Sequence, residues 1–314
     1  MPEPIRINLR EIIRNEERLA QGHRLCAGCG EPTALRQILH AINEPVVIST
    51  ATGCLEISTS GYPYSSWNVP WIHSAFENAS TTIAGVEAAY KALKRSGKIP
   101  EDKTITFLAV GGDGASYDIG LQWISGCLER GHKFVYICFN NEAYMNTGIQ
   151  RSSATPRGAH TTTSPAGDVL PGKTQWRKPF TKIMAAHDIP YVAQTAPHNY
   201  RDLMMKVKKA VAADGPAVLN IMTPCPRGWR YASDETLSLT KLAADTCYWP
   251  LYEVDHGKLI VNYRPKEKLP VADWLKAQGR FSHLFRPAYA WLVEEIQAKV
   301  DQEWDRLLKE EAIV

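Results

Sequence analysis

Two short polar motifs follow neighbouring apolar segments and have the composition of a metal–phosphate site. Residues 105–110 are apolar and run into the glycines around Asp113, and residues 134–139 run into Asn140 and Asn141. Glycine lets a backbone approach phosphates closely, and a helix that begins there offers free N–H groups. Mg²⁺ prefers a few carboxylate or amide oxygens completed by phosphate oxygens. Asp113 and Asn141 are therefore predicted to hold a divalent cation that carries a diphosphate.

The combination of the two motifs is more specific than either motif alone. A lone GDG occurs by chance in many chains. Here GDG (112–114) ends one predicted strand and Asn140-Asn141 ends the next, with an interval of 28 residues between Asp113 and Asn141. This arrangement resembles the signature of thiamine diphosphate sites.

Four of the seven cysteines are predicted to lie near the same edge of the fold. Cys26 and Cys29 form a CxxC pair in a glycine-rich turn, and Cys54 and Cys225 each follow a predicted strand. A zinc ribbon normally has a second CxxC within about 20 residues, which this sequence lacks. A thioredoxin-like dithiol does not account for Cys54 and Cys225. Four thiolates suit a [4Fe–4S] cluster, so the spacing favours a cluster, while zinc and a structural or redox pair stay open.

The other cysteines indicate no site. Cys138 lies within a predicted strand, where a free cysteine behaves as a small apolar side chain. Cys127 lies on the helix after GDG, and Cys247 lies in the C-terminal part of the chain.

The composition indicates an ordinary globular protein. Of 314 residues, 44% are apolar and 22% charged, and the formal net charge is +3. That charge is too small to indicate nucleic acid or a membrane surface as partner. The apolar runs fall short of the ~20 residues of a membrane span, and residues 1–4 show no secretory signal. We therefore expect a cytoplasmic protein without membrane partners and without a disulfide framework.

The middle of the chain alternates between short apolar runs and helical patterns. The strands are predicted at 46–49, 105–110, 134–139, 191–194 and 217–222, and the helices from Glu31 onward and at 78–95, 180–186 and 199–213. Near-continuous apolar strands alternating with helices predict an α/β fold, a mostly parallel sheet covered by helices on both faces. Ligands of such sheets bind at the carboxyl ends of the strands, where Cys54, Asp113, Asn141 and Cys225 are predicted to meet.

The remaining segments are less regular. Residues 5–20 have apolar residues at helical spacing and predict a short amphipathic helix, whereas 55–74 and 142–178 are predicted loops. The second loop starts at the candidate metal site, so we expect it to be functional. Residues 247–285 show no clear alternation.

We predict two parts, an α/β domain at 1–235 and an extension at 236–314 that packs on the core or on a partner subunit. The extension contains a predicted helix at 286–311 with five inward residues, Tyr289, Leu292, Ile296, Val300 and Leu307.

Longer motifs resemble the β subunit of the pyruvate-type 2-oxoacid:ferredoxin oxidoreductases. The resemblance covers essentially the whole chain, and residues 20–285 most clearly. The motifs are GHRLCAGCGEP, SAFENA (74–79), GGDGASYDIG, NNEAYMNTGIQRSSATP, TTTSPAG, TPCPRGW and VADWLKAQGRFSHL.

The resemblance implies a role for several residues. The ligands of the cluster nearest the thiamine would be Cys26, Cys29, Cys54 and Cys225. The Mg²⁺ ligands would be Asp113, Asn141 and the carbonyl of Ala143, and the diphosphate would lie against Gly112, Gly114 and Ala115. Asn146 would lie beside the reactive carbon of thiamine and the substrate. Glu31 would lie near the cofactor, and Thr147 and residues 151–153 would close the site or serve only as hydrogen-bonded loop.

The resemblance also implies partner chains. Thiamine enzymes need a carboxylate on the aminopyrimidine ring, and no convincing candidate is found here. In the family an α subunit supplies this glutamate and the arginine contacts to the substrate. A ferredoxin-like subunit or domain carries further clusters toward ferredoxin. This chain alone would be catalytically incomplete.

The implied reaction is oxidative decarboxylation of a small 2-oxoacid with one-electron transfer through the cluster. The substrate would be pyruvate with coenzyme A, or oxalate, which yields two CO₂ without coenzyme A. Two alternatives come from other classes. A non-redox thiamine-dependent decarboxylase or synthase subunit would need no four cysteines, and a zinc-stabilised binding subunit would need no GDG and NN motifs.

Overall fold

The computed structural model describes residues 7–313, which form one eight-stranded sheet and eleven α-helices. The strands are β1 Val46–Thr50, β2 Trp71–His73, β3 Thr106–Gly112, β4 Val135–Asn140, β5 Tyr191–Thr195, β6 Ala217–Met222, β7 Tyr252–Asp255 and β8 Lys258–Val261. Their order in the sheet is β2-β1-β3-β4-β6-β5-β7-β8. Strands β1 to β6 pair in parallel, and β7 and β8 form an antiparallel hairpin on the β5 edge.

Helices connect the strands and continue after them. They are α1 Leu9–Ile12, α2 Gly30–Ala41, α3 Cys54–Thr59, α4 Ala79–Arg95, α5 Leu121–Glu129, α6 Phe180–Ala185, α7 Tyr200–Ala212, α8 Pro226–Trp229, α9 Thr236–Asp245, α10 Val271–Lys276 and α11 Ala290–Ile313. A π-helical segment, Gly114–Ile119, lies between β3 and α5. None of α1 to α11 combines the length and hydropathy that a membrane span needs. The cytoplasmic location stays a prediction.

Alternate residues of the parallel strands enter two different cores. Leu108 and Ile137 face the core that contains α2 and α7. Ala109 and Cys138 face the core that contains α4, α5 and α6. Both faces of the sheet are therefore covered, which explains the near-continuous apolar strands. The predicted fold, a mostly parallel sheet with helices on both faces, is confirmed.

The C-terminal part builds a third core around buried tryptophans. Trp249 and Trp274 belong to it, together with residues of α9, α10 and α11, and it also includes Met222 and Trp229 from earlier in the chain. The predicted terminal helix is present as α11. Four of its expected inward residues are buried, namely Leu292, Ile296, Val300 and Leu307, and Tyr289 lies just before the helix. The boundary at residue 235 and contact with a partner subunit stay predictions.

The helix predicted at 5–20 is wrong in extent. Residues 5 and 6 lie outside the described part, and α1 ends at Ile12. Beyond it the chain is held in an irregular path, because Arg18 donates to the backbone carbonyls that follow α2 and Leu19 bridges Trp67. Tertiary hydrogen bonds there outweigh the helical spacing of the apolar side chains.

Two other predictions missed short elements. The predicted loop at 55–74 contains most of α3 and all of β2, and residues 247–285 contain β7, β8 and α10. Elements of three to six residues carry too few residues to show a period. The predicted loop at 142–178 contains no helix or strand, only isolated bridges.

Candidate functional site

A cavity that opens to solvent lies at the carboxyl ends of β1, β3 and β4. Parallel sheets bind ligands at this edge. The predicted site residues among its lining are Glu31, Cys54, Gly112, Asp113, Gly114, Ala115, Asn141, Ala143, Asn146 and Thr147. The fold therefore brings together residues from four separate segments of the sequence.

Asp113 follows β3 and is only 1% exposed. Burial raises the pKa of its carboxyl to about 7, because the charged form loses its hydration. The Ser152 hydroxyl donates to Oδ2 at 2.5 Å, and the Asn141 N–H donates to Oδ1 at 3.3 Å. A cation at this carboxylate would offset the cost of burying its charge.

Asn141 has three of its four polar groups engaged. Its N–H donates to Asp113, its carbonyl accepts from Trp229 Nε1 at 2.7 Å, and its Nδ2 donates to Glu31 Oε1 at 3.0 Å. The fourth group, Oδ1, is buried without a hydrogen-bond partner among the described residues. A buried acceptor of this kind is costly unless a ligand satisfies it. The side chain is thus fixed with one oxygen free to bind a metal ion.

Glu31 lies in the first turn of α2 and is buried beside Asn141. Burial raises the pKa of its carboxyl to about 7, while the hydrogen bond from Asn141 opposes that shift. Its second oxygen, Oε2, has no hydrogen-bond partner among the described residues. Glu31 therefore orients Asn141 and keeps one polar atom free beside the cavity.

Gly114 is required for a close approach between the GDG loop and the wall of the cavity. A Cβ at this position would lie 2.3 Å from the Tyr144 ring. That ring is fixed because its hydroxyl donates to Asp118 Oδ2 at 3.0 Å. Gly112 and Ala115 line the same wall, and their contact with a diphosphate stays a prediction.

The segment from Ala143 to Gln150 folds back on itself at the rim of the cavity. The Tyr144 N–H donates to the Gln150 carbonyl at 2.9 Å, and Thr147 Oγ1 donates to Gln150 Oε1 at 2.5 Å. This turn leaves Asn146 and Thr147 exposed at the mouth. Contact between Asn146 and a substrate stays a prediction.

The 151–153 segment does not line the cavity but supports it from behind. Ser152 donates to Asp113, and the Ser153 N–H donates to Asp118 at 3.0 Å. Buried Lys173 donates to the carbonyls of Ser152 and Thr155 and so fixes the same turn. The hydrogen bonds that hold the 151–153 loop together therefore also support the Asp113 side of the cavity.

The CxxC turn packs closely against the loop of Cys225, and the glycines of the turn leave no space for a larger side chain. The Gly30 N–H donates to the Pro224 carbonyl at 3.1 Å. A Cβ on Gly28 would lie 2.1 Å from the Ser233 carbonyl oxygen, and its φ of +76° also favours glycine. Cys54 starts α3 and lines the cavity, whereas Cys26, Cys29 and Cys225 lie outside its lining.

All seven cysteines are free. Burial raises the pKa of the Cys29, Cys54 and Cys225 thiols, and the negative charge of Glu31 and of neighbouring cysteines raises it further. Within residues 7–313, no three His, Cys, Asp or Glu side chains converge as ligands of a single metal ion. Cys127, Cys138 and Cys247 are buried, as expected for structural residues.

Several contacts of the site escaped the sequence analysis. Trp229 reaches Asn141 across 88 residues, and Arg280 reaches Glu142, the neighbour of Asn141, across 138 residues. No local pattern marks such pairs. Tyr144 and Phe76, which form an aromatic wall, also carry no distinctive spacing.

Comparison with known proteins first defines the class. The family model "Thiamine pyrophosphate enzyme, C-terminal TPP binding domain" matches residues 51–221, which include the GDG and NN loops. The chain is thus a thiamine diphosphate-binding protein of the α/β class. Its structure is similar to that of 2-oxoglutarate:ferredoxin oxidoreductase from Magnetococcus marinus, with a TM-score of 0.54 at 19% identity over 73% of this chain and 81% of that one. That likeness shows the fold.

Sequence relatives then define the family. The chain is 51% identical to pyruvate synthase subunit PorB of Thermotoga maritima, across 100% of this chain and 98% of that protein. It is 48% identical to PorB of Methanocaldococcus jannaschii over 91% of this chain and 95% of that protein. It is 40% identical to ketoisovalerate oxidoreductase subunit VorB of Pyrococcus abyssi over 98% of each. The chain belongs to this family of thiamine-dependent 2-oxoacid:ferredoxin oxidoreductase β subunits, as its motifs predicted.

Proposed function

We propose that this chain holds Mg²⁺–thiamine diphosphate and one [4Fe–4S] cluster in a complex that oxidatively decarboxylates pyruvate with coenzyme A and passes electrons to ferredoxin. The observation that carries the cofactor assignment is the buried, unpartnered Oδ1 of Asn141 beside the buried carboxylate of Asp113. Relatives named for pyruvate reach 51% identity, whereas the relative named for ketoisovalerate reaches 40%.

The residues at the cavity would divide the work as follows. Asp113, Asn141 and the Ala143 carbonyl hold Mg²⁺, and the backbone of Gly112, Gly114 and Ala115 lies against the diphosphate. Bound thiamine diphosphate supplies the electron sink for loss of CO₂. Asn146, at the exposed mouth, contacts the substrate.

The cysteines provide the exit for electrons. Cys54 lines the cavity, and Cys29 and Cys225 belong to loops joined by the hydrogen bond between Gly30 and Pro224. Together with exposed Cys26 they supply four thiolates, the number that a [4Fe–4S] cluster needs.

The activating carboxylate is assigned to a partner α subunit. Among the described residues, the acidic side chains that line the cavity are Glu31 and Asp113, and both bond to Asn141. We therefore give both to the magnesium end of the site, Asp113 as a ligand and Glu31 as the residue that orients Asn141. A further partner, a ferredoxin-like subunit or domain with additional clusters, would carry electrons on to ferredoxin.

Substrate choice is tested by anaerobic dye reduction with the complex of this chain and its partner subunits. Pyruvate with coenzyme A should give the highest kcat/KM. Faster turnover of oxalate without coenzyme A, or of 2-ketoisovalerate with it, would contradict the pyruvate assignment. Turnover by this chain without partners would contradict the assignment of the activating carboxylate to another subunit.

A further inference from the structure

Glu142 stands between two proposed magnesium ligands but points away from the cavity. Its carboxylate is completely buried, and its backbone φ of +66° is unusual for a residue with a side chain. The Glu142 N–H donates to Asn140 Oδ1 at 3.0 Å, and its carbonyl accepts from Thr155 Oγ1 at 2.7 Å. The turn that presents Asn141 and Ala143 is therefore held in a strained conformation that needs support from its surroundings.

The hydrogen bonds to this carboxylate come from two residues of the C-terminal part of the chain, and Arg177 adds a longer ion pair. Arg280 Nη2 donates to Glu142 Oε2 at 2.6 Å, and the Tyr248 hydroxyl donates to Oε1 at 3.1 Å. Arg177 Nη1 lies 3.6 Å from Oε1. The Arg280 side chain is 2% exposed, so the pair is fully removed from water. A buried charge pair needs good geometry and further hydrogen bonds, and this one has both.

The same arginine closes a ring of contacts back to Asn141. Its guanidinium lies 3.9 Å from the centre of the Trp229 ring, and the Trp229 indole N–H donates to the Asn141 carbonyl. Trp229 is the last residue of α8, whose N-terminal cap is Cys225. The ring Glu142–Arg280–Trp229–Asn141 thus connects the magnesium loop with the loop of a proposed cluster ligand.

We propose that Glu142, Arg280 and Tyr248 are positioning residues that set the orientation of Asn141 and the Ala143 carbonyl toward Mg²⁺. This inference rests on the proposed magnesium–diphosphate site. Because none of the three residues lines the cavity, they act through the turn and not by touching the cofactor.

A second buried carboxylate offers a matched control. Glu253 on β7 is 2% exposed, accepts from Lys209 Nζ at 2.6 Å and from the Tyr191 hydroxyl, and so resembles Glu142 in burial and partners. It lies toward the far edge of the sheet, away from the cavity lining. A role in stability alone would make substitutions at the two glutamates equivalent.

The experiment measures thiamine diphosphate affinity and the half-saturating Mg²⁺ concentration on the apo complex by intrinsic fluorescence, with melting temperatures recorded in parallel. Glu142→Gln should weaken thiamine diphosphate binding by roughly tenfold or more and raise the Mg²⁺ requirement, a loss typical of groups that orient metal ligands. Tyr248→Phe removes one hydroxyl, is expected to fold, and should weaken binding by about threefold. Glu253→Gln should lower the melting temperature with affinity unchanged.

The outcomes separate the inference from the proposed function. If wild type binds Mg²⁺–thiamine diphosphate but Glu142→Gln and Tyr248→Phe bind it equally well, the positioning role is wrong. Should Glu142→Gln fail to fold, an unchanged affinity of Tyr248→Phe would be enough to reject it. Wild type that binds no thiamine diphosphate would overturn the proposed function and this inference with it.

Discussion

The two halves of the candidate site are built differently. The diphosphate corner, made of Glu31, Asp113, Asn141 and Ser152, is buried and joined by direct side-chain hydrogen bonds. The cysteine corner, made of Cys26, Cys29, Cys54 and Cys225, is partly exposed. Sulfur atoms of this corner are held by backbone groups, as where the Gly228 N–H donates to the Cys225 sulfur at 3.4 Å.

This difference indicates which interactions hold the side chains of each corner in place. The polypeptide itself fixes the diphosphate corner and leaves one oxygen of Asn141 free for a ligand. In the cysteine corner the backbone is fixed by close contacts of Gly28 and Gly30, whereas burial raises the pKa of the Cys29, Cys54 and Cys225 thiols and so disfavours their charged form. Metal binding would therefore complete the cysteine corner, as it does in many metal sites.

The largest effect is expected from Cys225→Ser, which removes one proposed cluster ligand. The variant complex should lose the iron bound to this chain and reduce dye activity by roughly 100-fold or more, since the thiolate is a direct ligand. Thiamine diphosphate affinity should change little, because Cys225 lies outside the cavity lining. Iron analysis, dye reduction and cofactor titration check this.

Cys247→Ser serves as the control, since Cys247 is free and buried in the C-terminal core. Full activity in Cys225→Ser would instead support a non-redox thiamine enzyme.

Asp113→Asn should break the diphosphate corner and leave the cysteine corner intact. Because Asp113 is a proposed direct ligand, loss of its carboxylate should weaken Mg²⁺-dependent thiamine diphosphate binding by at least roughly 100-fold, the upper end of what residues behind the ligands contribute. Iron content should stay at the wild-type value.

Asp202→Asn is the matched control, because Asp202 is a largely buried carboxylate that accepts from the Thr195 hydroxyl at 2.6 Å, as Asp113 accepts from Ser152. Equal loss of cofactor affinity in both variants would show that the effect is not local to the magnesium site.

Gly28→Ala should displace the CxxC turn, because the new Cβ would lie 2.1 Å from the Ser233 carbonyl. Iron loading should fall severalfold, while thiamine diphosphate binding is retained. Gly22→Ala is the control, since nothing lies within 4 Å of a Cβ at that position. Iron contents that match between the two variants would argue that the turn tolerates displacement.

The smallest effect is expected from Trp229→Phe, which keeps the aromatic ring but removes the donor to the Asn141 carbonyl. An unsatisfied buried carbonyl costs about 1–3 kcal/mol, so the free energy of unfolding in urea should fall by about that amount. Cofactor affinity should fall only a few-fold. An unchanged unfolding free energy would show that this hydrogen bond contributes nothing net.

That Asp113 and Asn141 lie close together could be predicted from the sequence, because they follow strands that are adjacent in the sheet. Asp113 and Asn141 each end an apolar run, and β3 pairs directly with β4. The same reasoning about strand ends predicts that Cys54 and Cys225 lie near one edge of the sheet. This prediction requires no knowledge of side-chain contacts.

The supporting contacts were beyond prediction because they join distant parts of the chain. The sequence predicts a polar loop around Glu142, yet the Glu142 side chain is buried against Arg280 and Tyr248. The helix predicted at residues 5–20 is wrong in extent for a related reason. Arg18 donates hydrogen bonds to backbone carbonyls after α2, and these take the place of hydrogen bonds within a helix. The spacing of apolar residues along the sequence indicates which side chains are buried. It does not indicate which polar partner a distant segment supplies.

Anomalous scattering from anaerobically grown crystals of the complex with Mg²⁺ and thiamine diphosphate tests the central claim most directly. At the iron edge, a four-iron peak should lie among Cys26, Cys29, Cys54 and Cys225. A lighter ion bound to Asp113 and Asn141 should lie beside the diphosphate and give no iron or zinc signal. A peak at the zinc edge among the cysteines, or a diphosphate bound away from Asp113, would contradict the account.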